Sequence, residues 1–416
     1  MDMKKTMEQV IRTKKNILIL YADAGFGHRS AAYAIADAVK QRHGDECEIS
    51  LYNPLDDKRT PFFLRDSQSD YDKIVRSAPE LYKMGYDASD SNVSSTLFES
   101  ALIIMLYDVM HDTIKRFKPD VIVSTYPLYA APLDAVMTMN RDSIPILTAI
   151  TDLVTVHRIW FYTGLDSCLV PTVEVAELAY QAGLSNSQVK VTGMPVSPEF
   201  NDNRRSKAEI RAELGWEPDI PVVMAAGSKR VDKLDEMMTI LNHSAYPLQL
   251  AVVAGGHDEL YELLRATKWH KPTHIYNFVE NMPLMLKASD MLLCKAGGLI
   301  VSEALAAGLP MFLTNVLPGQ EEGNAAYVIQ NGAGALTETP VGLLENLFHW
   351  MDNDGEQLKK HTENAVKLGR PQASLEVAEL AWEAAHCSPL ERKGLHILER
   401  TKLMKMLRST TKVNGD

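Results

Sequence analysis

The chain has 416 residues, 46% hydrophobic and 23% charged, which is the composition of a soluble globular protein with enough apolar material for two domains of roughly 150 to 200 residues and a cleft between them. A formal charge of −11 leaves no basic field for holding a nucleic-acid backbone, so no nucleic-acid partner is expected. Cys47, Cys168, Cys294 and Cys387 are far apart and form no C-x-x-C pair, which argues against a zinc knuckle or a disulfide framework and fits reduced thiols in a cytosolic protein.

Residues 1–15 are charged and lack an apolar h-region, and no apolar run approaches the roughly 18 to 20 residues that span a bilayer. A cytoplasmic location is therefore expected, with any membrane contact peripheral. In chain order, a β-rich run at 16–21 leads through the turn Gly25-Phe26-Gly27 into a helical pattern at 30–41, and a second strand follows at 48–52. Residues 56–118 read as an insertion beside the sheet, with aromatic and basic residues interleaved over 61–86 and a helical pattern over 96–117. Strands are then predicted at 121–124, 146–150, 167–170 and 189–192, with a helix beginning near 172.

The two prolines of Gly193-Met194-Pro195-Val196-Ser197-Pro198 disfavour regular structure and place a domain boundary there. The predicted domains are 1–198, 199–375 and a basic helical tail at 376–416 that carries Arg392, Lys393, Arg400, Lys402, Lys405, Arg408 and Lys412. Strands of the second half are predicted at 222–226, 250–254, 273–278, 291–294 and 311–314, and helix from 343 onward. Repeated strand, glycine turn and helix predict an α/β chain of two Rossmann-like doubly wound parallel sheets.

In Asp23-Ala24-Gly25-Phe26-Gly27-His28-Arg29-Ser30 the glycines let the backbone turn sharply and expose N–H groups, and His28 lands at the helix start. A neutral imidazole above the strand ends is placed to take a proton from an attacking hydroxyl; the plainer reading is a turn with a capping histidine. The third glycine of the dinucleotide fingerprint is missing, and Tyr52-Asn53 stand where its acidic residue belongs, which disfavours a nicotinamide cofactor.

The second half carries a longer constellation. Lys295-Ala296-Gly297-Gly298 follows a strand and opens a helix, so backbone N–H groups and the helix dipole are placed to hold a diphosphate, with Lys295 adding charge. Glu303, one and a half turns on, has the carboxylate to accept from both ribose hydroxyls. Gln320, Glu321 and Glu322, in Gly319-Gln320-Glu321-Glu322-Gly323-Asn324, offer partners for the hydroxyls of a hexose. Taken singly these are a solvated helix face and an acidic helix start; their order points to a nucleotide-sugar site.

The arrangement resembles the two-domain glycosyltransferases of the monogalactosyldiacylglycerol synthase and processive diacylglycerol glycosyltransferase type, with the peptidoglycan lipid-intermediate N-acetylglucosaminyltransferase as a more distant relative. Besides the motifs above, the resemblance runs through Pro119-Asp120-Val121-Ile122-Val123-Ser124-Thr125, Thr151-Asp152-Leu153, Pro171-Thr172, Thr192-Gly193-Met194-Pro195-Val196 and Phe278-Val279-Glu280-Asn281-Met282. It implies a GT-B fold, two Rossmann-like domains facing a cleft, and an inverting transfer of glucose or galactose from a UDP-hexose to diacylglycerol on the cytoplasmic face of the cell membrane. It implies no cofactor beyond the donor and no metal.

By the same resemblance His28 is the general base or its positioner, Glu303 the ribose ligand, Gln320 and Glu321 the contacts to the donor sugar, and the backbone at Val279 the partner of uracil. Gly27, Asp152 and Trp160 fall toward the acceptor. Where such enzymes carry a glycine-rich turn after the first strand of the second domain, this chain has Gly227-Ser228-Lys229-Arg230, whose single glycine is offset by the charges of Lys229 and Arg230. For docking to an anionic membrane surface the sequence offers Pro61-Phe62-Phe63-Leu64-Arg65, continuing to Tyr71, Lys73, Arg76, Tyr82 and Lys83, and the basic tail. Alternatives are transfer to a polyprenyl-linked or soluble acceptor, a UDP-sugar epimerase of the same fold, and a non-catalytic sensor of UDP-sugar or lipid.

Overall fold

The computed structural model describes residues 14–65, 92–140, 144–202, 204–229, 231–319 and 321–387. The chain forms two compact units: the first holds residues up to Asp152, Val156–Pro195 and those from Ala373 on, the second Leu153–Thr155 and Val196–Gln372. In the first, β1 (Lys15–Leu20), α1 (Phe26–His43), β2 (Cys47–Tyr52), α2 (Asn92–Phe117), β3 (Val121–Ser124), α3 (Ala130–Asn140), β4 (Ile146–Ala149), β5 (Ser167–Val170), α4 (Val173–Gln181) and β6 (Val189–Val191) follow one another. The second contains α5 (Lys207–Leu214), β7 (Val222–Ala226), α6 (Leu234–Asn242), β8 (Gln249–Val253), α7 (Asp258–Ala266), β9 (Thr273–Tyr276), α8 (Met282–Ala288), β10 (Met291–Lys295), α9 (Gly298–Ala306), β11 (Met311–Thr314), α10 (Glu322–Gln330), β12 (Gly334–Leu336) and α11 (Pro340–Leu368). The last helix, α12 (Ala373–His386), returns to the first unit.

Each unit is a six-stranded, wholly parallel sheet, in the orders β2-β1-β3-β4-β5-β6 and β12-β11-β10-β7-β8-β9. Parallel strands joined by crossover helices are covered on both faces, which requires apolar residues at consecutive positions. Ile17 to Leu20, Val121 to Val123 and Val222 to Ala225 are accordingly all buried. In the first sheet the chain leaves β1 toward β2 on one side, while β3 flanks it on the other; in the second, β7 lies between β8 and β10 in the same way. Successive crossovers part there, and the carboxyl ends of the strands beside the gap are where such sheets bind ligands.

The division falls between Pro195 and Val196, three residues before the boundary read from the sequence. A separate tail from residue 376 is corrected: α12 begins at Ala373 and lays Leu375, Val377, Ala378, Ala381 and Ala385 into the core formed by Ile17, Ile19 and the alanine-rich face of α1. His43 stacks on Trp382, ring centroids 4.3 Å apart and 7° from parallel, and its Nε2 lies 3.0 Å from Glu379. The tail's basic cluster lies outside the described residues. Two further differences have local causes. The short β12 was not anticipated, and α11 is broken at Asp352–Gly355, where Asn353, Asp354 and Gly355 all take positive φ, the conformation these residue types tolerate best.

Because Ala378 has no exposed surface, Ala378→Asp places a carboxylate in the α1–α12 core and is expected to cost the first unit about 3 kcal/mol or more. Hydrogen exchange should show protection lost over α1 and β1 to β3 and kept in β7 to β11. Equal loss in both sheets would assign α12 a different role.

Candidate active site

In the first unit the chain leaves β1 and reverses at Gly25, whose φ of +82° no other residue adopts without strain, although an added Cβ would have open space. The N-terminus of α1 has no side-chain cap, so its first N–H groups are open, and His28 sits in its first turn. His28 Nδ1 lies 2.8 Å from the carbonyl oxygen of Thr125, just beyond β3, and 2.7 Å from Thr151 Oγ1, beyond β4. The Thr125 hydroxyl in turn donates to the His28 carbonyl at 2.8 Å.

A carbonyl oxygen only accepts, so Nδ1 carries the proton of the neutral ring and Nε2 keeps its lone pair. The ring is part-buried beside Tyr126, edge-on at 5.0 Å, and Trp160 at 5.9 Å. Burial lowers the His28 pKa to about 4, so the imidazole is neutral at neutral pH. Held by one nitrogen and basic at the other, it has the form of a general base.

The neighbouring residues fall into place less uniformly. Gly27 is unobstructed, since an added Cβ would meet only Met194 Cε at 4.0 Å. Trp160, expected at the acceptor, is 1% exposed and offers no free ring face; its Nε1 donates to Asp152 Oδ2 at 2.7 Å and so orients that carboxylate. His157 caps the short turn Arg158–Trp160 by accepting from the Ile159 N–H. Thr125 and Thr151, which fix the imidazole, stand in the sequence beside predicted strand ends, but nothing in the spacing marks them as partners of His28.

In the second unit β10 ends at Lys295, and Gly297 is the N-cap residue of α9, again without a side-chain cap, which leaves the first-turn N–H groups free for an anion among the described residues. Asn324 of α10 donates through Nδ2 to the Ala296 carbonyl at 3.0 Å and pins this turn. Glu303 lies on α9, with no hydrogen bond to its carboxylate among the described residues, and burial raises its pKa to about 8. Ribose hydroxyls are groups that would satisfy it. The Val279 N–H and C=O, past the end of β9, likewise make no backbone hydrogen bond among the described residues.

Lys295 and Glu321 are brought together. Lys295 Nζ forms an ion pair with Glu321 Oε1, while Glu321 Oε2 accepts from the Leu317 N–H at 3.3 Å. Glu321 is 5% exposed, so in this structure its carboxylate is turned to protein rather than open to a sugar. Gly227 packs the loop after β7 against the one after β8: its N–H donates to the Val253 carbonyl at 2.7 Å, and an added Cβ at Gly255 would collide with the Gly227 carbonyl. Gly255-Gly256 is the sequence signal for this close approach. Lys229 is exposed, Ser228 part-buried, and Arg230 and Gln320 lie outside the described residues.

A carboxyl group whose pKa is near 8 is mostly protonated at pH 7, and two hydroxyl donors would favour its ionised form. UDP affinity is therefore expected to rise about fivefold from pH 7 to pH 8, with proton release on binding. Titration calorimetry in buffers of different ionisation enthalpy measures both, and Glu303→Gln should abolish both. Affinity independent of pH in wild type would remove Glu303 from the ribose site.

The family model described as monogalactosyldiacylglycerol (MGDG) synthase matches residues 28–196, and that for glycosyl transferases group 1 matches residues 206–368. A probable monogalactosyldiacylglycerol synthase 2, chloroplastic, of Oryza sativa subsp. indica is 32% identical over 375 residues, covering 88% of this chain and 80% of the relative. Monogalactosyldiacylglycerol synthase 3, chloroplastic, of Arabidopsis thaliana is 33% identical over the same span and coverage. Among solved structures, Acinetobacter baumannii MurG superposes with a TM-score of 0.57 at 17% identity, covering 88% of this chain and 99% of that one. UDP-GlcNAc 2-epimerase from Neisseria meningitidis bound to UDP-GlcNAc does so with a TM-score of 0.55 at 13% identity, covering 88% and 99%. At those identities the likeness is one of fold, and the two parallel sheets are of the GT-B type expected from the sequence. With relatives above 30% identity over most of its length, the chain belongs to the monogalactosyldiacylglycerol synthase family of glycosyltransferases.

Proposed function

We propose that the protein transfers a hexose from a UDP-hexose to the free hydroxyl of diacylglycerol, with inversion at the anomeric carbon. The observation that carries this reading is the His28 imidazole, neutral and with Nδ1 committed to the Thr125 carbonyl, so that Nε2 is the basic atom. The names of the relatives support the acceptor and make galactose the first hexose to try. His28 Nε2 takes the proton of the glycerol hydroxyl, that oxygen bonds to the anomeric carbon, and the bond from this carbon to the β-phosphate oxygen breaks. UDP leaves with the electron pair, its charge met by the open N–H groups and dipole at the start of α9. Neither a cofactor nor a metal ion is part of the proposed step.

The acceptor's solubility requires a lipid surface, and the proposal includes peripheral docking; among the described residues no helix is long and apolar enough to cross a membrane. Phe62 and Phe63 are 67% and 51% exposed while Leu64 beside them is buried, so this segment presents two aromatic rings to solvent from an anchored base. Replacing both by Glu is expected to weaken binding to anionic vesicles about tenfold or more while leaving UDP affinity unchanged. Unaltered vesicle binding would move docking elsewhere on the chain.

The reaction itself is tested by supplying UDP-galactose or UDP-glucose separately, with and without diacylglycerol in mixed micelles. UDP release that depends on the lipid, with a new glycolipid, is expected; interconversion of UDP-sugars without lipid would replace transferase by epimerase. His28→Ala should lower turnover about 10²- to 10⁴-fold. A base with a depressed pKa works above that value and fails below it, so at saturating donor kcat/KM for the acceptor should stay level from pH 8 to 5 and halve near pH 4. A midpoint near 6.5 would assign the limb to another group.

A further inference from the structure

We infer that Tyr126 is a specificity residue for the acceptor: its hydroxyl donates a hydrogen bond to the ester carbonyl next to the free hydroxyl that His28 deprotonates, and so favours ester-linked over ether-linked glycerol. The inference rests on the transfer to diacylglycerol proposed above and names one group that holds the acceptor for it.

Tyr126 follows Thr125, whose carbonyl fixes the imidazole, and its own backbone is fixed as well. Its N–H donates to Ser124 Oγ at 3.3 Å, and its carbonyl accepts from the same hydroxyl at 2.9 Å. Pro127 then opens the short turn Pro127–Tyr129. The ring packs edge-on against Tyr129, centroids 5.1 Å apart, as well as against His28. Backbone and ring are therefore set before any ligand arrives, which is what a group that orients a substrate requires.

The hydroxyl is the part left over. In the same apolar cluster the Tyr129 hydroxyl lies 3.0 Å from the Tyr21 carbonyl, and the Tyr162 hydroxyl donates to Asp134 Oδ2 at 3.0 Å. Tyr126 is 9% exposed, and among the described residues its hydroxyl makes no hydrogen bond, although the oxygen is not sealed from solvent. A phenol so enclosed loses most of its water, at a cost in free energy that a bound partner would offset. Burial also raises its pKa to about 12, so it stays protonated and acts as a donor.

What it donates to follows from the chemistry beside it. The attacking hydroxyl gives its proton to His28 Nε2 and one lone pair to the anomeric carbon, and a donor on its remaining pair would draw charge from the forming bond. The carbonyl of the ester on the neighbouring glycerol carbon is a good acceptor and takes no part in the reaction. A bond there fixes the lipid without weakening its nucleophile, and an ether-linked lipid has no carbonyl to offer.

The test compares wild type with Tyr126→Phe, which keeps the ring and removes only the hydroxyl, on dioctanoylglycerol and on its ether counterpart, dioctylglycerol. Tyr126→Phe should lower kcat/KM about tenfold for dioctanoylglycerol, through KM rather than kcat, and less than about threefold for the ether. Titration calorimetry should show dioctanoylglycerol bound about tenfold more weakly. The variant should melt no lower than wild type, because the hydroxyl it lacks has no partner within the protein.

Equal losses on the two lipids would place the hydroxyl on the reacting oxygen, and no loss on either would leave Tyr126 as packing; both overturn the inference. A lower melting temperature would show the hydroxyl bonded within the protein, and an acid limb displaced from near pH 4 would show that the residue acts through His28, and either would overturn it too. If wild type transfers hexose to neither lipid, the proposed reaction falls, and binding still decides the role of Tyr126. Dioctanoylglycerol bound equally by both proteins, or by neither, overturns it.

Discussion

An open parallel sheet covered by helices on both faces has few places where ordered backbone groups remain unpaired, and the carboxyl ends beside the point where strand order turns back are the chief of them. The chemistry of both units is placed by that constraint. In the first, α1 is held by its alanine face against β1 and by α12 on its flank, so its uncapped N-terminus and His28 are fixed above the gap between β1 and β3. In the second, the same gap lies between β7 and β10, and the open start of α9 stands at its rim. His28 and the start of α9 are attached to these two rims.

The two helices use their positions differently. His28 is in the first turn, where a positive charge is disfavoured by the helix dipole, so burial and dipole both oppose protonation of the imidazole. Glu303 is the sixth residue of α9, beyond the turn over which the dipole acts strongly, and burial alone governs it, in the direction of the uncharged acid. One site thus keeps a base neutral and the other keeps an acid neutral. In the proposed reaction the first would take a hydroxyl proton and the second would accept from a pair of hydroxyl donors.

Much of this was legible because buried parallel strands are short apolar runs closed by glycine. Residues 121–124, 167–170, 222–226 and 311–314 were read to the residue, and Gly25, Gly27 and His28 fell where a strand gives way to a helix. The short β12, Gly334–Leu336, was missed because three residues carry no periodicity, and the break at Asp352–Gly355 was passed over although Asp-Asn-Asp-Gly is turn chemistry. Candidate residues defined by their own side-chain chemistry, His28 and Glu303, are legible as residue types in the sequence. Those defined by what lies across from them could not: the carbonyl of Thr125 is a backbone group, and the pairing of Lys295 with Glu321 joins positions 26 residues apart. Trp160, suited by type to meeting a lipid, is buried and donates to Asp152, a role that its residue type does not announce.

The depressed basicity of His28 has a consequence for where the protein can work. An anionic bilayer surface near −30 mV enriches protons about threefold over the bulk solution, and PS-rich membranes do so more strongly. An ordinary histidine, half protonated near pH 6.5, would lose part of its neutral fraction to that local acidity each time the protein settled on the lipid. An imidazole with a pKa of about 4 has more than two units in hand, so on the proposed docking its proton-accepting form would be indifferent to the charge of an anionic surface. The burial that makes His28 a weaker base also makes it one whose readiness does not vary with lipid composition.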